Sequence, residues 1–308
     1  MHRTWTAALL LALAAAPAGA LSVELLSRVP PRRASETASG PSRPLAISAD
    51  GRYTVIASEA VNLVPGMAAA PPGTYFYLHD RGAGTFTRIG PGAVSPGNLG
   101  VETPRASISA DGRFVALLSN ATTLLPGPRG GGTNVFLWER ATGSMSLVSH
   151  GSNPANPALF GRTDLAAVSA NGSYVLFTSD ARNLVPNPGR KPIPTHVFLW
   201  SRSSGRIQLV TRGANGDSVA TGLSDDGAWI VFKSVATNLV SGATDANGTF
   251  TGVFLANARS GRITLLSESG ESPGETALGW SSFSRISAGS ARLGAGTFSV
   301  PSVVDEEL

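Results

Sequence analysis

The chain has 308 residues, of which 14% are charged, and its formal net charge is +4. It contains no cysteine, which excludes disulfides, thiol catalysis, zinc–thiolate sites and iron–sulfur clusters. Glycine (36 residues) and proline (21) are abundant, and this composition favours many short strands and turns over long helices.

The first twenty residues form a segment of their own. Arg3 precedes the apolar run AALLLALAAA, and the segment ends in Ala18-Gly19-Ala20. This pattern predicts a secretory signal peptide cleaved after Ala20, and therefore a periplasmic or secreted protein. The alternatives are a membrane anchor and a buried helix, but the run is shorter than the roughly 20 residues that span a bilayer. We expect the mature chain, residues 21–308, to form a single domain without a membrane span.

Basic residues are not clustered strongly enough to indicate a nucleic-acid partner. The densest group is RVPPRR, which contains Arg28, Arg32 and Arg33. A solvated segment is the favoured interpretation of this group, so we expect no binding to nucleic acid.

One phrase recurs along the rest of the chain. It appears as ISADGRYTVIASEAVNLVPG, ISADGRFVALLSNATTLLPG, VSANGSYVLFTSDARNLVPN and LSDDGAWIVFKSVATNLVSG, beginning at residues 47, 108, 168 and 223. A degenerate copy, ISAGSARLGAG, begins at residue 286. This regular self-similarity predicts a repeat architecture, with units at 47–107, 108–167, 168–222 and 223–285 and a degenerate unit at 286–308.

Each complete unit contains four candidate strands. The second is nearly continuously apolar, as in YTVIAS and FVALLS, and the third resembles NVFLWER. Continuous apolar runs of this length are typical of strands covered on both faces. Four antiparallel strands in each of several units predict an all-β fold, a β-propeller of four-stranded blades.

Repeated polar residues mark two connections within each unit. A dipeptide that tolerates positive φ values separates the first two strands and predicts a tight hairpin: Asp50-Gly51, Asp111-Gly112, Asn171-Gly172 and Asp226-Gly227. In the second-to-third connection, an amide recurs as Asn62, Asn183 and Asn238, with Thr123 in the remaining unit. We expect these amides to order the loop by a hydrogen bond rather than to bind a ligand. The sequences that follow them differ between units, and such variable loops are where function is expected.

The order of these motifs resembles a known family. The sequence S-x-D-G-R, an apolar strand ending in Ser, then A-x-N-L-V-P-G and V-F-L-W-x-R, is similar to the TolB-like, WD-repeat-like propeller repeats of exported bacterial proteins. The resemblance covers residues 22–292 and implies a propeller, a fold that hosts binding modules and enzymes alike.

The resemblance also raises the question of a cation. Many relatives carry a D-x-N-G-x-x-D loop before the third strand, and here only the fourth unit keeps part of it, as Asp245, Asn247 and Gly248, with Thr251 in place of the closing acid. Calcium takes six to eight oxygen ligands, including several carboxylates. A turn is therefore favoured over a calcium site, and no other cofactor is indicated.

A propeller must also close its ring, because open sheet edges invite unwanted pairing. Residues 23–29, VELLSRV, resemble a fourth strand, and the degenerate copy could supply a first and a second strand. We therefore predict five blades, with the last completed by the N-terminal strand. The alternative is a truncated propeller of four blades that ends in a frayed segment or is completed by a partner.

The motifs contain no recognisable catalytic set. The three histidines beyond the signal, His79, His150 and His196, show no spacing to a serine and an acid that defines a triad. Ser272 in GESPG matches a nucleophile elbow, but Pro273 lacks the N–H that an oxyanion hole requires. Asp80-Arg81 and Glu139-Arg140 are repeated acid–Arg pairs, which indicate surface ion pairs.

The favoured hypothesis is a non-enzymatic binding or scaffold protein whose variable blade loops bind a protein or glycan of the cell envelope or medium. The alternative is a hydrolase or lyase with its site on the propeller face. A third hypothesis is a degenerate relative without a ligand.

Overall fold

The computed structural model describes residues 38–67, 70–94, 105–121, 124–125, 133–151, 162–186, 194–242 and 252–267. These residues form sixteen β-strands and no helix. The predicted signal peptide, the strand predicted at 23–29, the degenerate unit at 286–308 and Ser272 lie outside the described residues.

The sixteen strands form four antiparallel sheets, each built from four strands that are consecutive in the sequence. Blade 1 contains β1 (Ser42–Ile47), β2 (Tyr53–Ser58), β3 (Thr74–Asp80) and β4 (Thr85–Val94). Blade 2 contains β5 (Arg105–Ile108), β6 (Phe114–Ser119), β7 (Asn134–Glu139) and β8 (Met145–Leu147). Blade 3 contains β9 (Thr163–Val168), β10 (Tyr174–Ser179), β11 (His196–Ser201) and β12 (Ile207–Leu209). Blade 4 contains β13 (Ser218–Leu223), β14 (Trp229–Ser234), β15 (Gly252–Asn257) and β16 (Ile263–Leu265).

This arrangement confirms the all-β class and the four-stranded blades of a propeller. The number of blades in the whole chain stays a prediction.

The core of the protein lies between neighbouring blades. All six residues of β2 and of β6 are buried, in agreement with strands covered on both faces. One cluster joins Tyr53 and Phe76 of blade 1 to Val115 and Trp138 of blade 2. Because this face of the inner strands is covered by the adjacent sheet, burial of apolar area holds the blades together. The other face of blade 1 is covered by the blade's own loop residues, such as Leu63 and Met67.

The turn between the first and second strands carries the second contact between blades. The backbone N–H of Ala49 donates to the Ala110 carbonyl of the next blade at 3.1 Å, and Ala110 donates to Ala170 at 2.9 Å. Ala170 in turn donates to Asp225 at 3.2 Å. Equivalent turns are thus linked in a row from blade 1 to blade 4.

An aromatic side chain from one blade covers the turn glycine of the next. A Cβ atom added at Gly112 would lie 2.2 Å from Cδ2 of Tyr53, and one added at Gly172 would lie 2.1 Å from Cδ2 of Phe114. Tyr174 lies over Gly227 in the same way, at 2.2 Å. These glycines also have φ values of 67° to 72°. Glycine is therefore required there both by the backbone conformation and by the packing of the preceding blade.

Two arginines complete these junctions. Cζ of Arg140 lies 4.4 Å from the centroid of the Tyr53 ring, and Cζ of Arg202 lies 4.3 Å from that of Phe114. Each also donates from Nε to a turn carbonyl of its own blade at 3.0 Å, that of Gly112 or Gly172. The junctions between blades thus combine apolar packing, cation–π contact and hydrogen bonding.

Candidate binding face

The connections with variable sequence leave each sheet at one edge. Because the strands are antiparallel and consecutive, the second-to-third connection and the exit from the fourth strand lie at the same end of a blade. We call this end of the blades the loop face. Much of its variable sequence lies outside the described residues, including 68–69, 126–132, 187–193 and 243–251. The predicted cation ligands Asp245 and Asn247 belong to the last of these segments.

The repeated asparagines anchor the loops of this face. Asn62 accepts a hydrogen bond from the Ser39 N–H at 2.8 Å, and Asn238 accepts one from the Asn215 N–H at 3.0 Å. Asn238 also donates from Nδ2 to the Gly213 carbonyl at 2.8 Å. Asn183 lies against Gly151, where an added Cβ would be 2.6 Å from its Nδ2. In blades 1 and 4 the amide therefore ties the second-to-third loop to the segment that precedes the first strand of the same blade.

The serine that ends each second strand fixes the start of the loop. Its Oγ accepts a hydrogen bond from the N–H two residues later, at 3.0 to 3.1 Å, in all four blades. The residues concerned are Ser58, Ser119, Ser179 and Ser234. In three blades this serine also bonds the hydroxyl that begins the first strand, as in Ser218 and Ser234 at 2.8 Å. The sequence showed that the serine recurs but indicated no role for it.

A second hydroxyl anchors the start of the third strand. Ser149, Thr211 and Ser267 each accept a hydrogen bond from the second N–H of that strand, at 2.9 to 3.1 Å. Thr211 also lies 3.1 Å from Nδ1 of His196, and Ser149 donates to Asn134 at 3.0 Å. Burial lowers the pKa of His196, since charging the ring would leave it poorly solvated. His196 is thus a neutral structural side chain at the base of a loop.

A half-buried acid lies where the first strands begin. Asp164 of β9 forms an ion pair with Arg105 of β5 at 3.0 Å, across the boundary between blades 3 and 2. Burial raises the pKa of the Asp164 carboxyl, although the charges of Arg105 and Arg162 act in the opposite direction. Among the acids in the described part of the chain, Asp164 is the one whose pKa is raised. The sequence shows no sign of this ion pair, because Arg105 lies 59 residues before Asp164.

The Asp-Gly and Asn-Gly turns lie at the opposite end of the blades. Ser48 donates to Asp50 at 2.6 Å and accepts from the Tyr53 N–H at 2.9 Å, while Asp50 accepts from the Arg52 N–H at 3.0 Å. The same three bonds recur around Asp111, Asn171 and Asp226. Ser48 and Ser224 lower the pKa of Asp50 and of Asp226 by hydrogen bonding. These polar groups serve the turn itself.

The acid–Arg pairs differ in detail from the expectation. Asp80 pairs with Arg52, through two contacts of 3.0 Å, and not with its neighbour Arg81. Glu139 pairs with Arg113 at 3.6 Å, which leaves Arg140 to stack on Tyr53. The reason is that successive strand residues point to opposite faces, so the adjacent arginine faces the neighbouring blade.

The other two histidines lie in blade junctions or strand cores. His79 is buried in β3, and its ring centroid lies 4.7 Å from that of Phe86. His150 lies 2.7 Å from the Gly151 carbonyl through Nδ1 and 2.9 Å from the Gly205 carbonyl of the next blade through Nε2. Among the described residues, no three His, Cys, Asp or Glu side chains are grouped so that they could hold a metal ion.

These sheets define a propeller-type protein. Comparison with solved structures finds the following similar chains. TolB from Acinetobacter baumannii aligns at 15% identity and a TM-score of 0.43, over 75% of this chain and 44% of that one. A putative TolB from Agrobacterium tumefaciens aligns at 16% identity and a TM-score of 0.44, over 76% of this chain and 64% of that one. Oligogalacturonate lyase from Vibrio parahaemolyticus aligns at 10% identity and a TM-score of 0.43, over 74% and 52%.

The chain spans less than two thirds of each of these structures. No family model matches the chain. No curated protein matches it either. Within the described ranges, no helix has the length and apolar character needed to cross a membrane.

Proposed function

We propose that the protein is an exported, TolB-like propeller that binds a protein or glycan of the cell envelope or medium through its loop face, without catalysing a reaction. The observation that carries this proposal is the contrast between the anchors and the loops. Ser58, Asn62 and their equivalents repeat from blade to blade and are used in internal hydrogen bonds. The segments between the anchors differ in sequence in every blade.

This contrast supports recognition because binding loops need rigid ends. A loop whose two ends are hydrogen-bonded loses less conformational entropy when a partner orders it. Four loops of different sequence that start from the same end of their blades would also offer a surface that no single loop could form. The export signal predicted at residues 1–20 places the expected partner in the envelope or outside the cell.

The test replaces one variable loop and leaves its anchors intact. Residues 187–193 are exchanged for a Gly-Ser linker of equal length, and the control exchanges Ser203-Ser204 at the opposite end of blade 3 for Gly-Gly. Both variants and the wild type are used as bait in envelope extract and culture medium, and on immobilised glycans. We expect the loop variant to lose ligands that the wild type and the control retain. The same ligands for all three proteins would contradict the proposal.

A second candidate function is a hydrolase or lyase, and one observation favours it. Asp164 combines partial burial, a raised pKa and a cationic partner, which are properties of catalytic acids as well as of structural ion pairs. Bond cleavage in a panel of polysaccharides and peptides, measured for the wild type and for Asp164→Asn, tests it. Turnover by the wild type that Asp164→Asn abolishes would favour the enzyme, whereas no turnover by either would count against it.

A further inference from the structure

The hairpins between the third and fourth strands differ in charge from blade to blade. They lie at the same end of the blades as the Asp-Gly and Asn-Gly turns, and we call this end the turn face. In blade 1 the third strand ends in Asp80, which pairs with Arg52 at 3.0 Å. In blade 2 it ends in Glu139, which pairs with Arg113 at 3.6 Å. The charge at the end of the third strand is therefore neutralised within each of these two blades.

Blades 3 and 4 contain neither partner of this ion pair. Their third strands end in neutral residues, Ser201 and Asn257. The positions of the paired arginines are also neutral and hold Ser173 and Ala228. The same strand ends thus lack both the acid and the base that blades 1 and 2 place there.

An arginine stands instead just before the fourth strand of blades 3 and 4. The Ser201 N–H donates to the Arg206 carbonyl at 3.0 Å, and the Asn257 N–H donates to the Arg262 carbonyl at 2.9 Å. The equivalent positions of blades 1 and 2 hold neutral residues, Thr85 and Ser144. Arg206 and Arg262 are therefore opposite neutral side chains, and within the described part of the chain no acid forms an ion pair with either of them.

Two further arginines, Arg202 and Arg259, follow the third strands of the same hairpins. All four arginines are exposed. The hairpins are neighbours, because Nε2 of Gln208 in β12 donates to the Ala258 carbonyl of blade 4 at 2.8 Å. The described turn face of blades 3 and 4 carries four arginines and two acids, whereas that of blades 1 and 2 carries four of each. We call the four arginines of blades 3 and 4 the arginine patch.

The chemistry of the arginine patch fits phosphate groups. A guanidinium group is planar and can donate two parallel hydrogen bonds to phosphate oxygens. The remaining tip residues of the two hairpins are small and exposed, among them Ser203, Ser204 and Ser260. They leave room for the arginines to approach a flat layer. Because the patch extends over two neighbouring blades, it matches a surface that presents many phosphates better than a single bound anion.

We propose that the arginine patch docks the protein on an anionic phospholipid surface. An arginine near such a surface contributes about fivefold in affinity, or about 1 kcal/mol. The loop face lies at the opposite end of the blades, so docking through the turn face directs the loop face away from the lipid. A partner of the loop face could then bind while the protein is on the membrane.

The first test removes two arginines of the patch. Sedimentation with vesicles of phosphatidylcholine, with and without phosphatidylglycerol, measures binding of the full-length protein. Arg206→Ser combined with Arg262→Ser, which copies Ser144 of blade 2, should weaken binding to the anionic vesicles about 25-fold. The control combines Arg182→Ser with Arg212→Ser, which removes the same charge from exposed positions of the loop face, and should bind as the wild type does.

Four results of this first test would overturn the proposal. They are an equal loss in the control, equal binding of the wild type to both kinds of vesicle, no binding of the wild type to either kind, and binding to soluble polyglutamate without binding to anionic vesicles. The last result would identify an acidic chain, rather than a lipid surface, as the partner of the patch.

The second test keeps all four arginines and restores the missing acids. Ser201→Asp combined with Asn257→Asp places a carboxylate opposite Arg206 and Arg262, as Asp80 is placed in blade 1. This variant should lose affinity for the anionic vesicles, because each new acid neutralises an arginine. Ser201→Asn has nearly the same shape as Ser201→Asp without the charge and should bind as the wild type does. Unchanged binding of the doubly acidic variant, with an unchanged melting temperature, would contradict the proposal.

The third test determines the orientation on the vesicles. The chain has no cysteine, so a single introduced cysteine can be labelled with the environment-sensitive fluorophore nitrobenzoxadiazole. The label at Ser204→Cys, on the turn face, should become brighter and shift to the blue when anionic vesicles are added. The label at Glu59→Cys, on the loop face, should not respond. A response of the Glu59→Cys label alone, or equal responses of both labels, would overturn the proposed orientation.

Discussion

Arg202 of blade 3 lies over the ring of Phe114 of blade 2, with Cζ 4.3 Å from the ring centroid, and its Nε donates to the Gly172 carbonyl at 3.0 Å. One side chain thus contacts two parts of a junction, the ring that covers the turn and the turn that is covered. Arg140 repeats both contacts one blade earlier.

Arg202→Ala should lower the free energy of unfolding by about 1 kcal/mol, because it removes a cation–π contact and one hydrogen bond. Arg202→Lys should recover only part of this loss, since an ammonium group neither stacks on the ring nor presents a planar donor to the carbonyl. Urea denaturation measures both effects. Arg212→Ala, at an exposed position outside the junctions, is the control. A loss as large as that of Arg202→Ala in the control would rule out the junction as the cause.

Two glycines with similar backbone conformation separate packing from backbone strain. Gly172 and Gly205 have φ values of 68° and 63°, but an added Cβ at Gly172 would lie 2.1 Å from Phe114, whereas nothing lies within 4 Å at Gly205. Gly205→Ala should therefore cost about 1 kcal/mol for the left-handed conformation alone. Gly172→Ala should cost about 2–4 kcal/mol, because the neighbouring blade must also shift. The comparison is made by urea denaturation, and equal costs would show that Phe114 does not constrain this turn.

The sequence predicted the strands and the hairpins because these depend on local signals. The alternation of apolar runs with Asp-Gly and Asn-Gly dipeptides is contained within each unit. Packing by the ring of Phe114 is the second reason why position 172 requires glycine. It could not be predicted from the sequence, because it depends on how two sheets pack and Phe114 lies 58 positions earlier. The contact between Arg202 and Phe114 could not be predicted for the same reason. The repeated serine at the end of the second strand was visible, but its bond to the N–H of the loop depends on backbone geometry that a sequence pattern does not contain.

The turn acids make stability depend on pH in the acid range. Hydrogen bonding by Ser224 lowers the pKa of Asp226 below its ordinary value, so the unfolded chain binds the proton more readily. The stability that the ionised carboxylate contributes is present above about pH 4 and is lost as the pH falls through the folded pKa. Asp226→Asn copies Asn171 of blade 3, which makes the same bonds without titrating. The variant should lose less unfolding free energy than the wild type between pH 6 and pH 3, and an unchanged loss would contradict this account.

The buried histidine of blade 3 gives a pH dependence in a different range. Burial lowers the pKa of His196 in the folded protein, so below about pH 6.5 the unfolded chain binds more protons and stability falls as the pH falls. His196→Asn copies Asn134 of blade 2, which bonds the equivalent hydroxyl. Unfolding free energies at pH 7.5 and pH 5.5 should differ less in the variant than in the wild type. His79 and His150 are present in both proteins, so the difference in pH dependence between the two proteins reports His196 alone. Equal pH dependence would show that protonation of His196 does not lower the unfolding free energy.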